Sequence, residues 1–207
     1  MGKHKQSIDK KIISRIYGHG RGWVFTPAYF SDLGSRDAIA SALKRHRQSG
    51  RIRQLARGLY DYPRTDSLLG MLTPSPDDVA KALAGRDAVR LQPSGAYAAN
   101  LLGLSSQVPM KIVYLTDGRS RTVQIGKKQI LLKQTTPRNM ATAGRVSGLV
   151  VQALRHLGRR HVDDEVMARL DRRLDADDRK QLLKDIRYAP AWIADIMRRL
   201  GNNKEKN

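Results

Sequence analysis

The sequence predicts an α+β protein in two parts, and three observations carry that prediction. Residues 1–64 alternate helical and strand signals in one compact run. Residues 108–135 are rich in aliphatic and β-branched residues broken by turn pairs, and residues 140–201 place apolar residues at helical spacing. The expected organisation is a small domain over 1–64 and a mixed α/β domain over 65–207. The second contains an antiparallel strand meander within 108–135 and a helical C-terminal end over 140–201. A chain of 207 residues with 40% hydrophobic residues has the material for cores of its own, without staples.

Ser7 caps a first helix, in which Ile8, Ile12, Ile13 and Ile16 share a face, and the glycines of Gly18-His19-Gly20-Arg21-Gly22 end it. Trp23-Val24-Phe25 reads as a brief strand. Thr26-Pro27 then opens a short helix expected to reach Leu33-Gly34, because proline suits the first helical turn. Ser35 caps a third helix from Arg36 to about Gln48, with Ile39, Ala42, Leu43 and His46 on the apolar stripe and Ser49-Gly50 as its stop. Arg51–Leu55 and Leu59–Tyr62 read as strands joined through Ala56-Arg57-Gly58. The order helix, strand, helix, helix, strand, turn, strand is the plan of a winged helix-turn-helix.

Farther on, Ser75-Pro76-Asp77-Asp78 marks a helix start, and another helix is expected from Ser94 to Leu102. Lys111–Leu115, Thr122–Ile125 and Gln129–Lys133 are strands separated by Asp117-Gly118 and by a loop at Gly126, which predicts the meander. Helices follow around Val146–Leu157 and Val166–Leu174, then one capped by Asp175 and one opened by Pro190. Asn202–Asn207 reads as an unstructured tail.

Charge narrows the function. Lys and Arg number 39 against 19 Asp and Glu, a formal net charge of +20. Residues 1–64 hold 14 basic and 4 acidic side chains, and residues 65–207 hold 25 and 15, so the excess per residue is about twice as dense in the first part. A polyanion partner follows from this, since clustered cations release condensed counterions on meeting phosphates. The absence of cysteine excludes thiol catalysis and a disulfide framework and fits a reducing, cytoplasmic setting. No apolar run approaches the ~18 residues of a membrane span. Met1–Ser7 lacks the apolar stretch of a secretory signal, so neither export nor a membrane partner is expected.

The third helix is the candidate DNA contact. Ser35, Arg36, Asp37, Ser41, Lys44, Arg45 and Gln48 lie off its apolar stripe. Arg and Lys read guanine edges, Gln reads adenine, and Ser binds bases or phosphate. Arg53 and Arg57 flank the glycine turn of the following ribbon, where a wing reaches a neighbouring groove or backbone. The competing reading of the helix is a solvated basic face. Trp23, Phe25, Tyr60 and Tyr62 are expected to fill a small core, the alternative being stacking on unpaired bases.

Other motifs are read as structural. Gly18-x-Gly20-x-Gly22 follows a helix and lacks the Lys-Ser/Thr of a phosphate loop. The histidines, His156 and His161 included, show no metal-ligand spacing, and Asp163-Asp164-Glu165 suits a helix start. No catalytic residues, metal or cofactor are expected, and the chain is not read as an enzyme.

Three stretches carry a family resemblance. They are Gly22-Trp23-Val24-Phe25-Thr26-Pro27 followed by Phe30-x-Asp32-Leu33-Gly34-Ser35-Arg36, then Gly50-x-Ile52-Arg53-x-Leu55-Ala56-Arg57-Gly58-Leu59-Tyr60-Asp61-Tyr62-Pro63, and last Val108-Pro109-x-Lys111-Ile112-Val113-Tyr114-Leu115-Thr116-Asp117-Gly118. They resemble the AbiEi-type antitoxins of bacterial type IV toxin–antitoxin systems, over most of residues 7–140. The resemblance implies a winged helix that binds duplex DNA at inverted repeats in its own promoter and represses the operon. It also implies a second domain that neutralises a nucleotidyltransferase-like toxin, in a system that can abort phage infection. The toxin is that family's enzyme. Arg36, Arg53 and Arg57 match the family pattern, whereas Lys44, Arg45 and Gln48 come from helix geometry. The alternatives are a stand-alone winged-helix regulator and an RNA-binding protein.

Overall fold

In the computed structural model, which describes residues 7–85 and 89–203, the chain divides into two compact units. One comprises Met1–Ala88 with Val123–Ile125, the other Val89–Thr122 with Gly126–Asn207. Residues 65–85 thus fall in the first unit, where the sequence predicts a second domain beginning at residue 65.

Local signals build the first unit. In α1 (Ile8–His19) the Ser7 hydroxyl accepts from the Lys10 amide, Ile12 and Ile16 are buried, and Gly20 at φ 82° turns the chain out of the helix. After β1 (Val24–Phe25) comes a 3-10 turn, Pro27–Phe30, shorter than the helix expected to reach Gly34. α2 (Arg36–Gln48) has its Ser35 cap accepting from the Ala38 amide. Strands β2 (Arg53–Ala56) and β3 (Leu59–Asp61) complete an antiparallel sheet in the order β1-β3-β2, with an irregularity between Gln54 and Ala56. Then β4 (Thr65–Asp66) and β5 (Gly70–Met71) form a small hairpin that the sequence reading lacks, and α3 (Pro76–Ala84) follows its Ser75 cap.

The core of this unit is partly aromatic. Phe25 meets Phe30 edge-on, with centroids 5.5 Å apart, and Trp23 stacks on Phe25 at 4.7 Å. Trp23, Tyr60 and Tyr62 pack against Ile12, Ile16, Ile39, Leu43 and Ile52. All four aromatics weighed as base-stacking candidates are therefore engaged in packing.

The second unit begins with β6 (Leu91–Ser94) and α4 (Gly95–Leu101), then β7 (Lys111–Thr116). Strand β8 (Arg121–Ile125), of which Val123–Ile125 is counted with the first unit, and β9 (Lys128–Gln134) follow, and the sheet order is β6-β7-β9-β8. Here the expected meander is corrected, because β7 pairs with β9 in parallel, Ile112 opposite Ile130 and Tyr114 opposite Leu132. These four side chains are fully buried, while β8 buries only Val123 between polar neighbours. Apolar strands take the centre and the polar strand takes the edge. Pro93 keeps β6 to the other edge, where a missing amide costs no ladder bond.

Helices complete this unit: α5 (Pro137–Met140), α6 (Val146–Leu157), α7 (Asp164–Arg173), α8 (Ala176–Asp185) and α9 (Ala191–Asn202). Val150, Leu154, Leu170, Leu182, Ile193, Met197 and Leu200 form an aliphatic core. Asp175 caps α8 in a reciprocal box with Asp178. Asn202 still belongs to α9, Asn203 caps it, and residues 204–207 of the expected tail lie outside the described residues, as do the expectations that fall on residues 1–6. Among the described residues no helix is long and apolar enough to cross a membrane.

Candidate nucleic-acid interface

The face of α2 follows from its sequence. Ile39, Ala42, Leu43 and His46 recur at helical spacing and are buried, which turns Arg36, Asp37, Ser41, Lys44, Arg45 and Gln48 to solvent together with the cap Ser35. Arg36 and Lys44 form no ion pair among the described residues. Arg45 is different, since its Nε and Nη2 reach Asp9 of α1 at 3.0 and 2.8 Å. The buried His46 lies beside the same Asp9, with Nε2 3.4 Å from the carboxylate. Arg45 thus ties α1 to α2 and still exposes more than half of its side chain.

Arg47 is not among the residues that the sequence predicts to face DNA. It lies eleven residues after Arg36, three helical turns along the same stripe, and that spacing was the available signal. Its side chain is exposed and donates to Gln54 Oε1 on β2.

The ribbon separates its two arginines. Arg57 is exposed at the turn, next to Gly58 at φ 72°. Arg53, expected to face DNA beside it, is instead turned inward. Its Nε and Nη2 hold both oxygens of Asp61 at 3.1 and 2.5 Å, and Nη2 also donates to the Leu72 carbonyl at 2.8 Å. Asp61 is only 1% exposed, so a carboxylate there needs a charged, bidentate partner, and Arg53 supplies it. An open groove beside this clamp is lined by Arg47, Gln54, Arg57, Pro63 and Met71, among others. It brings the end of α2, the β2–β3 ribbon and the β4–β5 hairpin onto one surface.

The remaining motifs have structural explanations. Asp163 caps α7 by accepting from the Val166 amide at 2.9 Å, and Asp164 and Glu165 sit in the first turn. His161 Nδ1 bonds the Leu157 carbonyl at 2.8 Å. In the second unit Asp185, 3% exposed, accepts from Arg145 at 2.8 Å, Ser147 at 2.5 Å and Gln181 at 2.8 Å. Arg179 pairs with Asp171 at 2.7 Å and donates to the Leu200 carbonyl near the end of α9. The Arg179 hydrogen bond holds the Asp171 carboxyl below the usual carboxylate range, with Asn203 adding to it.

The fold is that of a mixed α+β protein carrying a small helix-and-ribbon unit. The chain belongs to DUF6088, a family of unknown function whose pattern matches residues 11–182. Among solved structures it is similar to the crystal structure of the RV2827C protein from Mycobacterium tuberculosis, at 16% identity over 98% of this chain and 80% of that one, with a TM-score of 0.46. No curated protein matches it.

Proposed function

We propose that this chain is a DNA-binding antitoxin of the type IV class, which represses its own operon and neutralises a nucleotidyltransferase-like toxin. The observation that carries the proposal is α2. Its exposed half presents Arg36, Ser41, Lys44, Arg47 and Gln48 beside a three-stranded sheet and an arginine-tipped glycine turn. Element order and the β1-β3-β2 arrangement support a winged-helix reading, in which α2 enters the major groove and the Arg57 turn contacts backbone or minor groove. The antitoxin part rests on the resemblance to AbiEi-type sequences and assigns the toxin-facing surface to residues 65–207.

The test has two arms. Full-length protein is titrated into duplexes tiled over the DNA upstream of its own reading frame. Neutralising about five or six phosphates gives a slope of log K against log salt near −5. Arg36→Ala or Lys44→Ala relaxes sequence preference at a cost of about 1–3 kcal/mol where the side chain reads a base. Affinity independent of salt, or preference for single-stranded RNA, overturns the DNA reading. Co-expression with the product of the neighbouring gene, scored for growth and co-purification, tests the antitoxin reading. Failure to rescue growth from a toxic neighbour leaves a stand-alone regulator.

A further inference from the structure

The β4–β5 hairpin ends in two leucines that no core explains. Leu68 is 93% exposed and Leu69 79%, and Met71 beside them is also exposed. Apolar side chains cost free energy in water, so two adjacent ones at the tip of a hairpin with two-residue strands call for an occupant. The tip is also built. Asp66 Oδ1 accepts from the amides of Leu68 and Leu69 at 2.9 and 3.0 Å, which fixes the turn. Those two amides, Leu69 first, hold the Asp66 carboxyl below its usual range, so its charge faces the loop's own amides.

The base of the hairpin is fastened to the candidate DNA surface. The Leu72 amide closes it by donating to the Arg64 carbonyl at 2.8 Å, and the Leu72 carbonyl accepts from Arg53. Met71 lines the same groove as Arg47 and Arg57. The clamped arginine therefore fastens the base of the hairpin beside a groove in which Met71 is joined by Arg47 and the exposed Arg57.

We infer that this hairpin is a second wing, whose Leu68–Leu69 tip inserts between base pairs from the minor groove while α2 and Arg57 hold the adjacent duplex. The inference rests on the DNA reading above and adds an occupant for the leucines. A stable protein interface buries about 800 Å² on each partner, far more than two side chains offer. A wedge between base pairs needs only one or two apolar side chains, with neighbouring cations to hold the backbone against the cost of unstacking. Arg47, Arg57 and the exposed Arg64, which precedes β4, supply those cations. Pyrimidine–purine steps unstack most readily and are the favoured sites of insertion.

The experiment uses the full-length chain and the same upstream duplexes, with 2-aminopurine placed in turn at each pyrimidine–purine step. Anisotropy reads binding, and 2-aminopurine fluorescence reads unstacking. The expected result is binding with a rise in fluorescence at one or a few steps. In the double variant Leu68→Ala/Leu69→Ala the rise is lost while the salt slope is retained. In Leu68→Met/Leu69→Met the rise persists, because methionine also serves as a wedge. Both pairs are solvent-exposed, so the fold is kept. Binding by the wild type without a rise at any step overturns the inference and leaves the DNA reading intact. A rise retained by the alanine pair overturns it as well. Alanines that change the oligomeric state and leave fluorescence unchanged assign the tip to a second copy of the chain. Absence of all duplex binding overturns both readings.

Discussion

Both units bury a carboxylate, and they neutralise it differently. In the first, Asp61 relies on one side chain, Arg53, which grips both oxygens and reaches on to the Leu72 carbonyl. In the second, Asp185 is shared among Arg145, Ser147 and Gln181. A single clamp can double as a positioning device, since it has a guanidinium proton left for the hairpin. A distributed set is more tolerant, since losing one donor leaves two. The difference teaches that Arg53 belongs to the frame of the candidate interface, whereas Arg57, four residues on, belongs to its surface.

The strongest challenge to this comparison is Arg53→Ala, which strands a nearly buried charge. It should cost about 3 kcal/mol, the low end of the range for broken buried pairs, because Arg53 keeps some solvent contact. Urea denaturation measures it, and a loss below about 1 kcal/mol would show that Asp61 finds another donor. Arg145→Ala should cost less, about 1–2 kcal/mol, because Ser147 and Gln181 continue to bond Asp185. Equal losses at the two sites would erase the distinction between clamp and network.

A pH titration sharpens the comparison within the second unit. The Asp171 carboxyl is depressed in the folded protein by Arg179 and Asn203. Its contribution is present above the unfolded carboxylate value of about 3.9 and is lost as pH falls through the lower folded value. Melting temperature should therefore fall across the acid range, and Asp171→Asn should flatten that limb. A variant with an unchanged acid slope would reassign the loss to other carboxylates. The smallest effect on stability belongs to Arg57→Ala, within about 0.5 kcal/mol of wild type because the side chain is exposed. The same change should reduce the salt slope of duplex binding by about 1 if Arg57 holds a phosphate. Unfolding and binding measured on one preparation thus separate frame from surface.

Much of the helical framework was legible because its signals act over a few residues. Ser35, Ser75, Asp163 and Asp175 each cap a helix through an amide three residues ahead, and the apolar stripe of α2 emerges with its four predicted members buried. Arg47 was missed although its spacing from Arg36 was in view. The 3-10 turn at Pro27–Phe30 fell short of the expected helix, since a proline start does not set how far a helix runs. Strand order was beyond local reading. Asp117-Gly118 and Gly126 mark turns but do not say which strand lies beside which, and burial of Ile112, Tyr114, Ile130 and Leu132 brings β9 next to β7.

The sequence by itself determined the α+β composition, the capped basic helix, the excess of positive charge and the ribbon around Gly58. Each of these depends on residue type and on neighbours close in the chain. Only the tertiary structure decided which cations remain free. Arg53 meets Asp61 eight residues away and Leu72 nineteen away, and Arg45 meets Asp9 thirty-six residues back. The physical reason is that a charge is committed or available according to what folding brings within hydrogen-bond reach, and burial of Asp61 made Arg53 the residue the frame needs.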